Sequence, residues 1–176
     1  MRTSRNLSRI ALFVVGVVTS FQVTGTAVED TVYINRGQML AIDSTYIPYY
    51  AFNATSVFDK ENERLSLFVG DTMSLTVINT DSLTHGFDIK DYLSIDTLIA
   101  AYDTAIVSFT FQDIGVHIYY DHSNAEGYRY MGLGGMITVI DPSLSASPFY
   151  WNIKEHQKSF NEDIDNGLPV DWSTFY

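Results

Sequence analysis

The chain lacks cysteine altogether. This absence excludes disulfide bonds, thiolate nucleophiles and any metal centre that depends on a thiolate ligand. Basic residues are scarce, with 10 against 21 acidic residues and a formal net charge of −11. Since so acidic a surface repels phosphate backbones, we do not expect nucleic acid as a partner. Long apolar runs are also missing, because no stretch approaches the roughly 20 residues that cross a bilayer.

The first 27 residues have the pattern of a targeting segment. Three arginines within the first nine residues precede a short apolar run at 10–18, and small residues follow at 25–27. The pattern predicts a cleaved signal peptide over residues 1–27, and an uncleaved membrane anchor is the alternative. In either case we expect an exported domain, periplasmic or extracellular, with membrane association only if the segment is retained.

The rest of the chain is rich in aromatic and β-branched residues, which favour strands. Alternating apolar residues predict short strands at 31–35, 46–52, 65–69, 73–77, 87–89, 106–111, 116–120 and 136–140. Turn signals such as Gly70-Asp71 and Asp113-Ile114-Gly115 separate these segments. The spacing predicts an all-β, Greek-key β-sandwich over residues 28–141.

Residues 142–176 lack this strand pattern, and we expect them to form a C-terminal tail or an interdomain linker. One short helix is predicted at 151–160, and the remainder is polar and irregular. A tail of this length is seldom left undocked at the end of a domain. We therefore expect it either to wrap the sandwich or to lead into a further domain of a longer protein.

Five segments, in the correct order, resemble cupredoxins, and specifically the first domain of multicopper oxidases and copper nitrite reductases. They are residues 47–53 (IPYYAFN), 70–79 (GDTMSLTVIN), 84–87 (THGF), 109–121 (FTFQDIGVHIYYD) and 132–139 (GLGGMITV). The resemblance covers about half of the chain and implies a cupredoxin-type sandwich that carries its copper site on loops at one end.

The same resemblance implies where copper ligands would stand. A type 1 copper centre uses two imidazoles, one thiolate and a weak axial ligand. His85 matches the first histidine, whereas Asp121 stands at the cysteine position and Leu133 at the axial methionine position. The second histidine falls near Tyr128, and Met131 replaces Leu133 if the register shifts. The site is therefore degenerate, and copper as a cofactor is left open.

Two interpretations of this end of the fold remain open. In the first, His85, Asp121 and His122 form a repurposed site for Cu(II) or Zn(II). In the second, a neutral His85 is hydrogen-bonded to Asp121 and the pair closes the end of the sandwich. His117 is predicted to be a buried, hydrogen-bonded core histidine.

The leading hypothesis for function is an exported cupredoxin-like domain of the multicopper oxidase group with a structural or docking role. Its expected partner is another protein or a further cupredoxin domain. The alternative is an atypical copper-binding or redox module that uses His85 and Asp121, and a weaker third hypothesis is an adhesion or carbohydrate-binding sandwich. The chain has no His-x-His pair and no recognisable catalytic triad. Oxidoreductase activity is therefore implied by resemblance only, and enzymatic activity is left open.

Overall fold

A computed structural model describes residues 25–90, 95–143 and 156–174 of the chain. Within these ranges the chain forms nine strands and two α-helices, followed in chain order. The elements are β1 (Ala27–Leu40), β2 (Tyr46–Asn53), β3 (Arg64–Phe68), β4 (Thr72–Asn79), β5 (His85–Ile89), β6 (Asp96–Ile99), β7 (Thr104–Thr110), β8 (Gly115–Tyr120), α1 (Gly127–Tyr130), β9 (Gly134–Ile140) and α2 (Lys158–Asp165). Most of the predicted strands are thus confirmed.

The strands form two sheets that pack face to face. The four-stranded sheet has the order β2-β1-β4-β7, and the five-stranded sheet has the order β3-β9-β8-β5-β6. Two pairs, β1 with β4 and β3 with β9, are parallel, and the other pairs are antiparallel. The predicted all-β, Greek-key sandwich is confirmed.

Period-two alternation explains how the sandwich fills its interior. In β4, Met73, Leu75 and Val77 are buried, while the residues between them face outward. The same holds in β7, where Val107 and Phe109 are buried. These side chains join one continuous apolar core between the two sheets.

Two strands differ from the sequence-based expectation. β1 runs over 14 residues rather than five, because it pairs with β4 from Ala27 onward and with β2 as far as Leu40. The polar Asn35 is buried within it, and its Nδ2 donates to Asn53 Oδ1 of β2 at 2.9 Å. β6 was not predicted, since its four residues are too few to show a period. Pro48 lies in β2, an edge strand, as its missing N–H requires.

The C-terminal tail wraps the sandwich where the structure describes it. α2 begins at Lys158, so the predicted helix at 151–160 overlaps it only at residues 158–160, and residues 151–155 lie outside the described ranges. Phe160 and Ile164 are buried in the core, and Asn161 Nδ2 donates to Pro48 O at 2.9 Å. An apolar pair at this spacing gives α2 one face that packs on the domain.

The targeting segment lies almost wholly outside the described residues, and cleavage after Ala27 stays a prediction. Thr26 and Ala27 themselves contact the start of β4 and the residue before it: the Thr26 N–H donates to Asp71 Oδ1 at 2.8 Å, and Ala27 pairs with Thr72. In the described part of the chain, no helix combines the length and the apolar character that crossing a membrane requires.

Candidate functional site

His85 opens β5 and lies at one end of the sandwich, with its side chain fully buried. Both nitrogens of its ring contact carboxylates. Nδ1 lies 2.7 Å from Asp121 Oδ2, and Nε2 lies 3.0 Å from Asp81 Oδ2. The predicted proximity of His85 and Asp121 is confirmed, and Asp81 adds a second carboxylate on the opposite side of the ring.

Asp121 directly follows β8, and its position is set by backbone contacts from neighbouring segments. Its Oδ1 accepts from the N–H groups of Gly86 and Ser123, both at 2.7 Å. A Cβ at Gly86 would stand 2.9 Å from Asp121 Oδ1 and 2.6 Å from His122 Nδ1. Glycine is therefore required at this position, because any side chain would push the carboxylate away from His85.

Asp81 lies in the loop between β4 and β5 and is aimed at His85 by a polar turn. Its N–H donates to Asn79 Oδ1 at 2.9 Å, and its carbonyl accepts from Tyr102 N–H at 3.1 Å. Asn79 Nδ2 in turn donates to Leu83 O at 2.7 Å and to Ala100 O at 2.9 Å. This turn brings a carboxylate four residues before His85 back onto the same imidazole.

The two carboxylates decide the charge of the cluster. Burial lowers the pKa of His85, but the hydrogen bonds that its ring donates to Asp121 and Asp81 outweigh burial, so that the pKa is raised above its usual value. Burial works in the opposite direction at Asp81, where the hydrogen bond from His85 prevails and the pKa is lowered. The arrangement therefore favours an imidazolium between carboxylates over the neutral histidine that the sequence suggested.

Aromatic rings and α2 seal the cluster. The ring of Tyr128 meets His85 edge-on with centroids 4.6 Å apart, and Tyr50 lies 5.3 Å away. The Tyr50 hydroxyl donates to Asp165 Oδ1 of α2 at 3.1 Å, and Arg36 Nη2 lies 2.7 Å from Asp165 Oδ2. The end of the sandwich is thus closed by a tyrosine that joins the buried histidine to the C-terminal helix.

The other residues at copper-ligand positions do not join this cluster. The His122 side chain lies over Gly86 and is only 22% exposed, and its Nε2 lies 2.8 Å from Oδ1 of the exposed Asp96. Leu133 and Met131 are both fully buried in the apolar core. Tyr128 lies beside His85 and contributes an aromatic wall to the site, and its match to the second histidine position stays a prediction.

His117 differs from its prediction. It is half-buried rather than buried, and its ring stacks on Phe111 with centroids 3.8 Å apart. Its Nε2 is enclosed and has no hydrogen-bond partner among the described residues. Burial lowers the pKa of His117. The apolar stacking partner, and not a polar network, therefore holds this side chain.

The donor set does not fit a type 1 copper centre. Such a centre needs free imidazole nitrogens and a thiolate, whereas His85 has both nitrogens bonded to carboxylates and the chain has no cysteine. Among the residues that the structure describes, no group of three or more His, Asp or Glu side chains is arranged to hold a metal ion. The cluster instead links three segments through buried, charged hydrogen bonds: β5 with His85, the loop after β8 with Asp121, and the loop before β5 with Asp81.

Asp81 is the site residue that sequence reasoning missed. Nothing in its spacing distinguishes it, because it lies in the loop that the sequence presents as ordinary turn residues 79–84. The one available signal was the Asn79-x-Asp81 pattern, in which an Asn side chain bonds the backbone two residues ahead and tightens a turn.

Comparisons with known proteins agree on the fold. No family model matches the sequence, and none of the curated proteins does. Among solved structures, copper nitrite reductase from Nitrosomonas europaea is similar over 70% of this chain at 20% identity, with a TM-score of 0.59. A multicopper oxidase from Campylobacter jejuni, described as a metallo-oxidase, is similar over 70% at 17% identity, with a TM-score of 0.54.

A laccase from Botrytis aclada is similar over 68% of this chain at 19% identity, with a TM-score of 0.56. The matched region covers 45% of the nitrite reductase chain, 27% of the Campylobacter oxidase and 23% of the laccase. The chain therefore has a cupredoxin-like fold, as its sequence predicted, and spans less than half the length of these neighbours.

Proposed function

We propose that this chain is an exported cupredoxin-like domain with a structural or docking role, in which a buried ion cluster has replaced the type 1 copper centre. The observation that carries the proposal is the double engagement of His85, whose Nδ1 and Nε2 lie 2.7 Å and 3.0 Å from the carboxylates of Asp121 and Asp81. The role requires a folded scaffold and no bound metal.

The chemistry of metal binding supports this reading. An imidazole binds a metal through a deprotonated nitrogen, so binding must release a proton. In this cluster the two carboxylates favour the protonated ring, and a metal would have to displace a carboxylate from a fully buried position. Such a displacement would break a buried hydrogen bond between charged groups, which costs about 1.5–3 kcal/mol.

Similarity to longer copper proteins supports the docking part of the proposal. The solved structures that resemble this chain match it over less than half of their own length. A domain of this kind is therefore found within larger oxidase-like and reductase-like chains. We accordingly propose a protein partner or a further cupredoxin domain for it, either in a longer chain or in a complex.

The experiment is a calorimetric titration of the full-length chain with Cu(II) and with Zn(II) near neutral pH. We expect no binding tighter than about 100 µM, since His85 is engaged and no thiolate exists. Micromolar binding that disappears in His85→Gln, with the fold intact by circular dichroism, would overturn the proposal in favour of the copper-binding module on His85 and Asp121.

His122→Gln is the matched control for this titration. It removes an imidazole of the same chemistry whose Nε2 bonds the exposed Asp96 and not the carboxylates around His85. Weak surface binding that disappears in His122→Gln and persists in His85→Gln would leave the proposal standing, since it would assign the metal to a surface histidine.

A further inference from the structure

A cleft opens beside β2, on the face of that strand that points away from His85. Side chains alternate across a strand, so Tyr50 faces the buried histidine while its neighbour Tyr49 lines the cleft. The other walls come from β1, from residues 60–64, from the start of β9 and from His156. The cleft holds about 490 Å³, which lies within the range of roughly 300–1,000 Å³ that small-molecule sites occupy.

Tyr49 is a buried wall of the cleft, with only 3% of the residue exposed. Its ring meets the rings of Phe58 and His156 edge-on, with centroids 6.4 Å and 5.0 Å apart. Burial raises the pKa of Tyr49 to about 12, so the phenol is neutral, and its hydroxyl has no hydrogen-bond partner among the described residues. Because a buried tyrosine hydroxyl usually finds such a partner, this donor is available to a molecule in the cleft.

Two cations, Lys60 and Arg64, line the same cleft. The described ranges hold six basic residues, which are Arg36, Lys60, Arg64, Lys90, Arg129 and Lys158. Three of them, Arg36, Arg129 and Lys158, have ion pairs. Of the three basic residues that have no ion pair within the described ranges, two therefore line this cleft, in a chain with 21 acidic residues against 10 basic ones. Cations that stay unpaired in so acidic a chain suit the carboxylate of a ligand.

Carboxylates and apolar groups line the cleft as well. Glu61 and Glu63 belong to its wall, and neither has an ion pair with another described residue. Met39 and Met136 add half-buried apolar side chains, of a kind that adapts to the shape of a ligand. The cleft thus offers unpaired charges of both signs beside an apolar surface.

Hydrogen bonds hold the charged wall of the cleft in place. Asn62 Oδ1 accepts from the N–H of Phe52 at 2.8 Å, and Asn62 Nδ2 donates to Gly132 O at 2.8 Å. Asn53 Nδ2 donates to the carbonyl oxygen of Glu61 at 3.0 Å. Because these bonds fix the backbone beside the charged side chains, little ordering of the wall is required when a ligand binds.

We infer that this cleft binds a free α-amino acid with an apolar side chain. Lys60, Arg64 and the Tyr49 hydroxyl bind its carboxylate. The two glutamates of the cleft bind its ammonium group, and the two methionines contact its side chain. The inference goes beyond the proposed docking role, because it assigns a ligand to the face of β2 that takes no part in the histidine cluster.

Ligands that carry one charge or none fit the cleft less well. A simple anion would be repelled by the two glutamates and by a chain of net charge −11. A simple cation would meet Lys60 and Arg64, and a neutral sugar would leave every charge of the cleft without a counter-charge. An amino acid carries both charges on one carbon atom, so that each charge meets its opposite.

Titration of the isotope-labelled full-length chain with L-phenylalanine, followed in proton–nitrogen correlation spectra, tests the inference. We expect saturable shifts at the amides of residues 60–64 and 135–136, with a dissociation constant of about 1 mM or lower. Hydrocinnamate lacks the ammonium group of phenylalanine, and phenethylamine lacks its carboxylate. Each should bind at least about tenfold more weakly, since each loses a hydrogen-bonded contact between charged groups.

Three variants test the residues that are assigned to the carboxylate. Lys60→Gln and Arg64→Gln should each raise the dissociation constant for phenylalanine about tenfold, and Tyr49→Phe about fivefold. Lys90→Gln is the matched control, because it removes the third unpaired cation, which does not line the cleft, and it should leave the constant unchanged. Circular dichroism checks that each variant is folded, and the two analogues test the same contacts on the natural chain.

No saturable shift at about 10 mM phenylalanine, or an Arg64→Gln variant that binds as tightly as the natural chain, would overturn the inference. Hydrocinnamate that binds as tightly as phenylalanine would also overturn it, because the ammonium group would then contribute nothing. The metal titration reports on His85 and His122, which do not line the cleft. A failure of this inference is therefore distinguishable from a failure of the metal-free role.

Discussion

Two imidazole–carboxylate pairs of nearly equal length lie in this molecule, on opposite sides of one short backbone stretch. His85 and Asp121 are 2.7 Å apart and fully buried, whereas His122 and Asp96 are 2.8 Å apart, with His122 22% exposed and Asp96 80% exposed. Asp121 and His122 are consecutive residues, yet one points into the sandwich and the other lies over Gly86 on its surface. The contrast separates what distance contributes from what burial contributes.

The comparison teaches that geometry alone says little about the role of an ion pair. In water, a pair of this length contributes little, because solvent screens it and both side chains lose freedom. In the interior, neither charge is hydrated, so removing one partner leaves the other as an uncompensated buried charge. Loss of the His85–Asp121 pair should therefore lower the free energy of unfolding strongly, whereas loss of the His122–Asp96 pair should change it less.

The largest expected effect is that of His85→Ala. It leaves Asp81 and Asp121 buried without a cation, which should lower the free energy of unfolding by about 3–5 kcal/mol. Urea denaturation at neutral pH measures this loss. His122→Ala is the comparison variant at the pair whose carboxylate is exposed, and it should cost less than His85→Ala. Equal losses in the two variants would show that burial does not distinguish the pairs.

Asp121→Asn is the next largest change. The amide retains an oxygen that accepts from Gly86 and Ser123, but it loses the charge that faces His85. We expect a loss of about 2 kcal/mol in the same assay, in the range of hydrogen bonds to charged groups. Asp96→Asn is the comparison variant, and its smaller effect should vanish as salt is added.

Stability should depend on pH through His85. Its pKa is raised in the folded state, so the stabilisation is fully present below the unfolded value of 6.5 and is lost as the pH rises through the folded value. Asp81 has a lowered pKa, so its contribution is present above 3.8 and is lost as the pH falls through its folded value.

Urea denaturation between pH 4 and pH 9 measures this dependence. The two limits lie about 2.5 pH units below and above the ordinary pKa of histidine. We expect stability to decline above pH 6.5 in the natural chain and in His122→Gln, but not in His85→Gln. A decline that survives His85→Gln would assign the effect to another group.

The smallest effect is expected where the helix meets the cluster. Tyr50→Phe removes the hydroxyl that donates to Asp165 and should cost about 1 kcal/mol. Hydrogen exchange should then accelerate in α2 more than elsewhere, since the helix loses one of its few polar contacts. Lys158→Ala breaks an exposed pair with Glu162 within α2 and should change stability by less than about 0.5 kcal/mol.

Much of the fold was predictable, because a strand with one buried face shows an alternation of apolar and polar residues in the sequence. Leu65 with Leu67 and Met73 with Leu75 predicted β3 and β4, and both are confirmed. The length of β1 was underestimated, because polar residues such as Glu29, Asp30 and Arg36 break the apolar pattern while pairing with β4 and β2 continues the strand. Such pairing depends on other strands, which the period of apolar residues along one segment does not reveal.

The candidate site was predictable only in part. Resemblance to cupredoxins placed His85 near Asp121, and that proximity is confirmed. It did not reveal Asp81, because the turn that returns this carboxylate to His85 depends on Asn79 and on Tyr102 from another loop. It also did not separate His122 from the cluster, because the direction of a side chain after a strand end is set by local packing over Gly86.

The tie between Arg36 and Asp165 joins residues 129 positions apart. Contacts of this separation carry a loop-closure cost that local contacts do not have. Tyr50 shares Asp165, so the wall beside the buried histidine depends on the docking of α2. A fold built from such distant pairings is expected to reach its native state more slowly than a helical bundle of the same length.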